Sequence, residues 1–406
     1  MTQPSFAALR NPGYRAYFVG AAVAMMGDSI EHVISYWILF QKFESQALAG
    51  FAVVSHWLPF LLFSLYSGAL ADRFDPRRLI QLGMALFMLA SLGWALLFLF
   101  DALEMWHAVA LLTVHGFAGV LWAPAAQMFI HHLVGERELH SAIRLTVIAR
   151  WLGLLAGPAV GGAILLLMGP AYGLLFNVLI YLPLVLWLWK APLKRDRPRM
   201  PAVRSFAELA AVARAIAANR TIVSMTLLAG GASLIVGNAY QAQMPEFARD
   251  LGHGDADFSY TMLLAADAAG ALIAGLVLEG RNLLPPNPRT AFVLAMLWCL
   301  ALGGFALSTS YPLALALLFC AGFLELAFYA MAQTLVQVRA PDALRGRVIG
   351  LFVMASLGLR AFSGVTVGLG GAAVGIHWSL ALSAMLFLAL TAIWFIRIGS
   401  RQKEAA

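Results

Sequence analysis

Charge is what this sequence has least of. Asp, Glu, Lys and Arg make up 12% of its 406 residues, about half the share found in soluble domains, while 62% are hydrophobic. A chain so composed leaves no room for a soluble domain of any size. Cysteine is nearly absent too. Cys299 and Cys320 both lie inside apolar runs, which argues against a disulfide framework or a thiolate metal cluster and leaves them lipid-facing or packed. The ten-residue alternation of a membrane barrel is missing; apolar runs of twenty or more residues recur instead, so the spans read as helices. The opening segment, Met1 to Arg10, has no small-residue cleavage site behind a short apolar core, and the first span is expected to act as its own insertion signal. No Ser-His-acid, metal or phosphate-binding arrangement stands in a plausible context, so neither an enzyme nor a cofactor is expected.

The net charge of +7 invites a nucleic-acid reading, and its distribution refutes it. Twelve spans can be drawn, at approximately 14–40, 47–71, 79–100, 107–133, 142–168, 171–190, 221–247, 258–279, 290–309, 312–338, 347–373 and 376–397. With both termini in the cytoplasm, all but four of the 27 Lys and Arg fall on cytoplasmic segments or helix ends. Lys42 and Arg249 lie outside, and Arg150 and Arg360 lie within spans. That bias sets the orientation, because basic residues are retained on the cytoplasmic side. The acids Glu44, Asp101, Glu104, Glu246, Asp250, Asp255 and Asp257 show the opposite trend.

The stretch Ala191 to Arg220, rich in proline and bases, reads as a cytoplasmic linker between two six-helix halves, 1–190 and 221–406. A weak internal repeat supports the division. Glu136-Arg137-Glu138-Leu139 to Gly153 aligns at one constant offset with Pro341-Asp342-Ala343-Leu344 to Gly358. Asp72-Arg73 corresponds to Gly280-Arg281, with a carboxylate one position earlier at Glu279. The fold class is therefore an all-α membrane protein of two pseudo-symmetric bundles, and in such repeats the site lies between the halves near the midplane.

Ionisable residues inside the spans carry the functional signal. Asp28, Glu31 and His32 share one helix face through their i, i+3, i+4 spacing. A central acid costs about 2.5–3.5 kcal/mol, so it persists only against water, a partner or a pathway. The face is read as lining an aqueous cavity. A buried ion pair with Arg150 or Arg360 is the plainer alternative. A metal site is the sharper one, disfavoured because three ligands sit on one helix with no second cluster, so no metal is expected. His56 and Pro59 fall in the second span, which the proline loosens, and the third span is featureless. His115 in the fourth span is either a packing residue or a proton carrier. In the fifth span Gly153, Gly157, Gly161 and Gly162 permit close helix approach, and Pro158 bends the helix. Arg150, just before them, is read as a cavity residue. The second half holds Asp267, Glu325 and Arg360, of which Asp267 and Arg360 are the better candidates for a charge pair.

The loop Gly68-Ala-Leu-Ala-Asp72-Arg73-Phe-Asp-Pro-Arg77-Arg78 resembles the loop between the second and third helices of the major facilitator superfamily of secondary transporters. The resemblance implies a gating motif of Gly68, Asp72, Arg73 and Arg77, with the Asp72 carboxylate at the N-terminus of a later helix. A helix N-terminus carries roughly half a positive charge, which stabilises an anion placed there. Gly153-x-x-x-Gly157-Pro158-x-x-Gly161-Gly162 is similar to the family's antiporter signature, which implies export. His115 stands where many proton-coupled drug exporters of the family carry an arginine. The family architecture places Glu325 across the cavity from Asp28 and Glu31. Arg345-Gly346-Arg347-Val348 together with Gly27-Asp28 resembles the macrolide- and siderophore-exporter subgroup.

Taken together, these resemblances imply a monomeric inner-membrane exporter that moves an amphipathic, drug-like or siderophore-like molecule in exchange for protons. Asp28 and Glu31 are the expected couplers, with Glu325 their counterpart and His32 tuning them, since burial disfavours the charged form of a carboxylate and lets it exchange a proton near neutral pH. Its partners are the cargo, protons and the bilayer, not nucleic acid. An importer or lipid flippase on the same scaffold is the competing reading. A sensor that transports nothing is disfavoured by the short tail after the last span.

Overall fold

The computed structural model describes residues 6–43, 46–192, 214, 216–237, 239–252, 258–281, 283–363, 371 and 374–403. After a 3-10 turn at Ala7–Arg10, the helices are α1 (Pro12–Phe43), α2 (Gln46–Arg73), α3 (Pro76–Leu99), α4 (Met105–Val134) and α5 (Leu139–Lys190). Next come α6 (Arg220–Ile235), α7 (Ala239–Ala242), α8 (Met244–Asp250), α9 (Phe258–Gly280) and α10 (Pro288–Ala306). The last three are α11 (Tyr311–Arg339), α12 (Arg345–Ser356) and α13 (Ile376–Lys403). Among the described residues, eight helices are long and apolar enough to cross a membrane. Large apolar side chains on their outer faces, such as Leu62, Leu166, Leu167 and Ile396, are exposed, as a bilayer requires and water would not favour. Cys299 is buried and Cys320 exposed.

The helix ends are written in the sequence. Asp75 caps α3 by accepting from the Arg77 amide at 2.9 Å, with Pro76 at the first helical position; Asn219 and Asn287 cap α6 and α10 in the same way. Each side-chain oxygen satisfies an amide that has no partner within the helix. Gly169, at φ 74°, followed by Pro170, divides α5 into two rods, where the sequence places the boundary between its fifth and sixth spans.

Two compact units emerge, Phe6–Ala215 with Ala340–Met354, and Ile216–Arg339 with Ala355–Ala406. In the first, α1 packs along α5, α2 along α4, and α3 against both α4 and α5. Its apolar core includes Ile30, Ile34, Ile38, Trp94 and Leu174. In the second, α11 packs against α9 and α10, and α10 against α13.

Two expected spans are not continuous helices. Residues 221–247 break after Ile235, where Gly237 at φ 56° takes a left-handed conformation that only glycine adopts without strain, and the chain resumes as α7 and α8. The expected span 347–373 is helical only to Ser356 and continues as a 3-10 turn at Gly358–Phe362; residues 364–370, 372 and 373 lie outside the described residues. Most of the expected linker (193–213 and 215) also lies outside them, as do Glu44, Asp255 and Asp257.

Candidate functional site

The first unit gathers Asp28, Glu31, His32, His56 and His115 into one constellation built by five helices. His115 of α4 sits at the centre. Its Nδ1 lies 2.8 Å from Glu31 Oε1, and its Nε2 lies 3.0 Å from Asp28 Oδ1. His32 turns its Nδ1 to the Asp28 main-chain carbonyl at 2.8 Å, with the Asp28 carboxylate 3.8 Å away. The other Glu31 oxygen accepts from the Ser91 hydroxyl of α3. Asn177 of α5 donates to Ser91 Oγ at 3.1 Å and to the Gly27 carbonyl at 3.0 Å. His56 of α2 completes the group, its ring centroid 5.0 Å from that of His32 and 5.5 Å from that of His115. Phe87 closes the floor, packing edge-on against His115 and stacking on Tyr181.

Chemically this is a pair of acids bridged by an imidazole. A ring carrying one proton donates to one carboxylate; a ring carrying two serves both. His115 is thus neither the isolated packing residue nor the isolated carrier that the sequence suggests. His56, Ser91 and Asn177 are not among the sequence candidates, and the third span, which reads as featureless, supplies the hydroxyl on Glu31. The histidines do not lie on a single helix, as the sequence reading of a metal site assumes: three of them converge from α1, α2 and α4.

The close helix approaches explain the convergence. A Cβ on Gly116 would strike the Ser55 carbonyl, so α4 and α2 touch backbone to backbone beside His115 and His56. A Cβ on Gly153 would meet Met25, Ala22 and Met26, one on Gly157 would strike Ser29, and one on Gly161 would come within 3.2 Å of Ile30. These three glycines seat α5 against the face of α1 next to Asp28. Gly162 has open space beside it, and Pro158, inside the helix, is exposed. Arg150 is half-buried on the same helix.

At the other end of this unit the Asp72 carboxylate caps α12. It accepts from the Gly346 amide at 2.6 Å and the Arg347 amide at 3.1 Å, with the Arg347 guanidinium 3.9 Å away. Its side chain is 2% exposed. Gly68 lets α2 reach this point, since a Cβ there would strike the Gly346 carbonyl. Arg345 beside it pairs with Asp342 at 2.8 Å and meets the His131 ring at 3.2 Å. Arg73 points away, its guanidinium 5.2 Å from the Phe74 ring centroid. Arg77 pairs with Asp75 at 2.6 Å and donates to the Ala191 carbonyl at 2.8 Å.

The second unit holds a small pocket of about 20 Å³ lined by Ser233, Trp298, Glu325, Tyr329, Ser356 and Arg360, among others. Arg360 lies 3.8 Å from Glu325. The sequence favours Asp267 as its partner, and the structure corrects this. The Asp267 carboxylate faces Tyr240 at 3.4 Å and Gln241 at 3.3 Å, because the break after α6 swings α7 and its polar side chains towards α9. Glu279 is buried near the end of α9.

Buried acids, bases and a helix-capping aspartate in an all-helical membrane protein define a solute transporter rather than an inert scaffold. The chain belongs to the transmembrane secretion effector family of the major facilitator superfamily, whose family model matches residues 3–406. It is 25% identical over 349 residues to the enterobactin exporter EntS of Shigella boydii serotype 4, covering 84% of this chain and 81% of that protein. Its fold is that of the human organic anion transporter MFSD10, at TM-score 0.76 and 14% identity over 93% of this chain and 97% of the other. The fucose:proton symporter of E. coli matches equally well, at TM-score 0.76 and 16% identity over 95% and 99%.

Proposed function

We propose that this protein exports an amphipathic organic molecule, drug-like or siderophore-like, from the cytoplasm across the inner membrane by alternating access in exchange for protons. The observation that carries the reading is the buried Asp28–His115–Glu31 bridge, set in a chain related to an enterobactin exporter. Intramembrane acids persist where they bind a cargo or pass a proton, and this cluster joins two of them through one imidazole. Asp28 and Glu31 act as the primary couplers, and the Glu325–Arg360 pair beside the cavity of the second unit is their counterpart. Asp72 latches the cytoplasmic side through its cap on α12. The protein works as a monomer with both termini in the cytoplasm.

The fold alone leaves direction open, since it also serves a fucose:proton symporter. Direction is tested with energised inside-out membrane vesicles and a catecholate siderophore or an amphipathic fluorescent cation as probe. Export predicts accumulation of one of these in the lumen above the level of vesicles without the protein. Probe that instead leaves preloaded vesicles faster would establish import and overturn the reading.

A further inference from the structure

Three histidine rings converge around Asp28 from three helices, a donor set that could hold a metal ion. One ring nitrogen from each of His32, His56 and His115 lies within 4.8 Å of the others. Tetrahedral coordination with bonds of 2.0–2.1 Å places ligand nitrogens about 3.3 Å apart. The site therefore has to contract by about 1.5 Å at its widest pair, a change that side-chain torsions on three separate helices can supply.

The hydrogen bonds already orient the rings for this. The Asp28 main-chain oxygen that meets His32 Nδ1 can only accept, so in the neutral ring Nδ1 carries the proton and the lone pair is on Nε2. In His115 the Nδ1 is held by Glu31, leaving Nε2 directed at Asp28 Oδ1. A ligating histidine usually donates its other ring nitrogen to a carboxylate or a main-chain carbonyl, which fixes the tautomer and raises ligand basicity. Both arrangements are present here, and Ser91 and Asn177 hold Glu31 in turn.

A second, independent observation comes from His56. Its Nδ1 is buried and has no hydrogen-bond partner. A polar atom stranded in a membrane interior is costly. A cation bound beside it would satisfy it.

We propose that His32, His56, His115 and Asp28 bind a divalent transition-metal ion of the Zn²⁺ type, with Glu31 as the group that orients His115. Three imidazoles and one carboxylate, with no thiolate, suit Zn²⁺, Co²⁺ or Ni²⁺ and not Mg²⁺ or Ca²⁺, which take oxygen ligands. A bound ion ties α1, α2 and α4 together. The inference stands on geometry and does not depend on the direction or coupling of transport.

The test uses full-length protein in detergent, without a histidine tag, titrated with Zn²⁺ by calorimetry and with Co²⁺ by visible absorption. The expected result is one ion per chain, the intense visible bands of tetrahedral Co²⁺ displaced by Zn²⁺, and no response to Mg²⁺. His56→Ala and His32→Ala should each weaken binding at least tenfold, and the thermal midpoint should rise with Zn²⁺ in the wild type only. A His131→Ala, His132→Ala double variant, which removes the adjacent pair at the far end of α4, should bind as the wild type does. His56 makes no hydrogen bond in the network, so its variant is the one least able to disturb the fold, and a wild-type elution profile on gel filtration verifies this. Stoichiometric binding that survives both single variants, or a Co²⁺ spectrum typical of six oxygen ligands, would overturn the proposal. So would the absence of binding in the wild type.

Discussion

The carboxylate of Asp72 receives the main-chain amides of both Gly346 and Arg347 at the first turn of α12. An anion at a helix N-terminus is stabilised by the aligned peptide dipoles, by up to about 2 kcal/mol where partly buried. Asp72→Asn keeps one acceptor oxygen and loses the charge. It should abolish transport while leaving expression and membrane insertion near normal, measured as probe accumulation and protein content in the same vesicles. Wild-type accumulation by this variant would remove the latch from the account.

The glycines of α5 should separate by the face they occupy. Gly157→Val places atoms where Ser29 already stands and should destabilise by about 1–3 kcal/mol, the usual cost of overpacking, while Gly162→Ala enters open space and should change stability by less than about 0.5 kcal/mol. Thermal unfolding in detergent distinguishes them. Equal effects would mean that α1 and α5 do not pack as described.

The Arg360–Glu325 pair predicts a non-additive cycle. Its side chains are 16% and 18% exposed, so breaking it should cost about 1–3 kcal/mol, less than the 3–5 kcal/mol of a fully buried pair. Arg360→Met and Glu325→Gln should each lower stability, and the double variant should recover part of the loss. Strict additivity would show that the two do not interact.

Near the ends of α1 and α3, Lys42 holds Asp101 by a hydrogen bond of 2.6 Å that keeps its carboxyl below the usual carboxylate range. A depressed folded-state value contributes stability above about pH 4, where the unfolded carboxyl is ionised, and loses it as pH falls through the folded value. Asp101 is fully exposed, so the effect is small and screened by salt. Asp101→Asn should match the wild type in acid and fall slightly below it at pH 7 in low salt. A variant more stable than wild type at pH 7 would contradict the pairing.

Part of this architecture can be read from the sequence because bilayer thickness acts locally: the long apolar spans and the boundary at Gly169-Pro170 need no tertiary information. The Asp72 loop is legible through its motif. His56 is not, since one histidine on an apolar helix says nothing of what it will meet. The available signal is Gly116 beside His115, a small residue that lets α4 reach α2 at Ser55, the neighbour of His56. Ser91 and Asn177 carry even less, because a hydroxyl or an amide is cheap enough in a span to pass as packing. The Arg360 partner is misread from the sequence because the break at Gly237, which turns α7 towards Asp267, cannot be inferred from hydropathy.

The most direct test of the proposed exchange is the lumenal pH of inside-out vesicles when cargo is added. Export by antiport carries cargo in and protons out, so the wild type should alkalinise the lumen. Glu31→Gln and Asp28→Asn should abolish that pH change while still binding cargo. Cargo uptake that continues undiminished after an uncoupler collapses the proton gradient, or that follows a sodium gradient instead, would contradict the account.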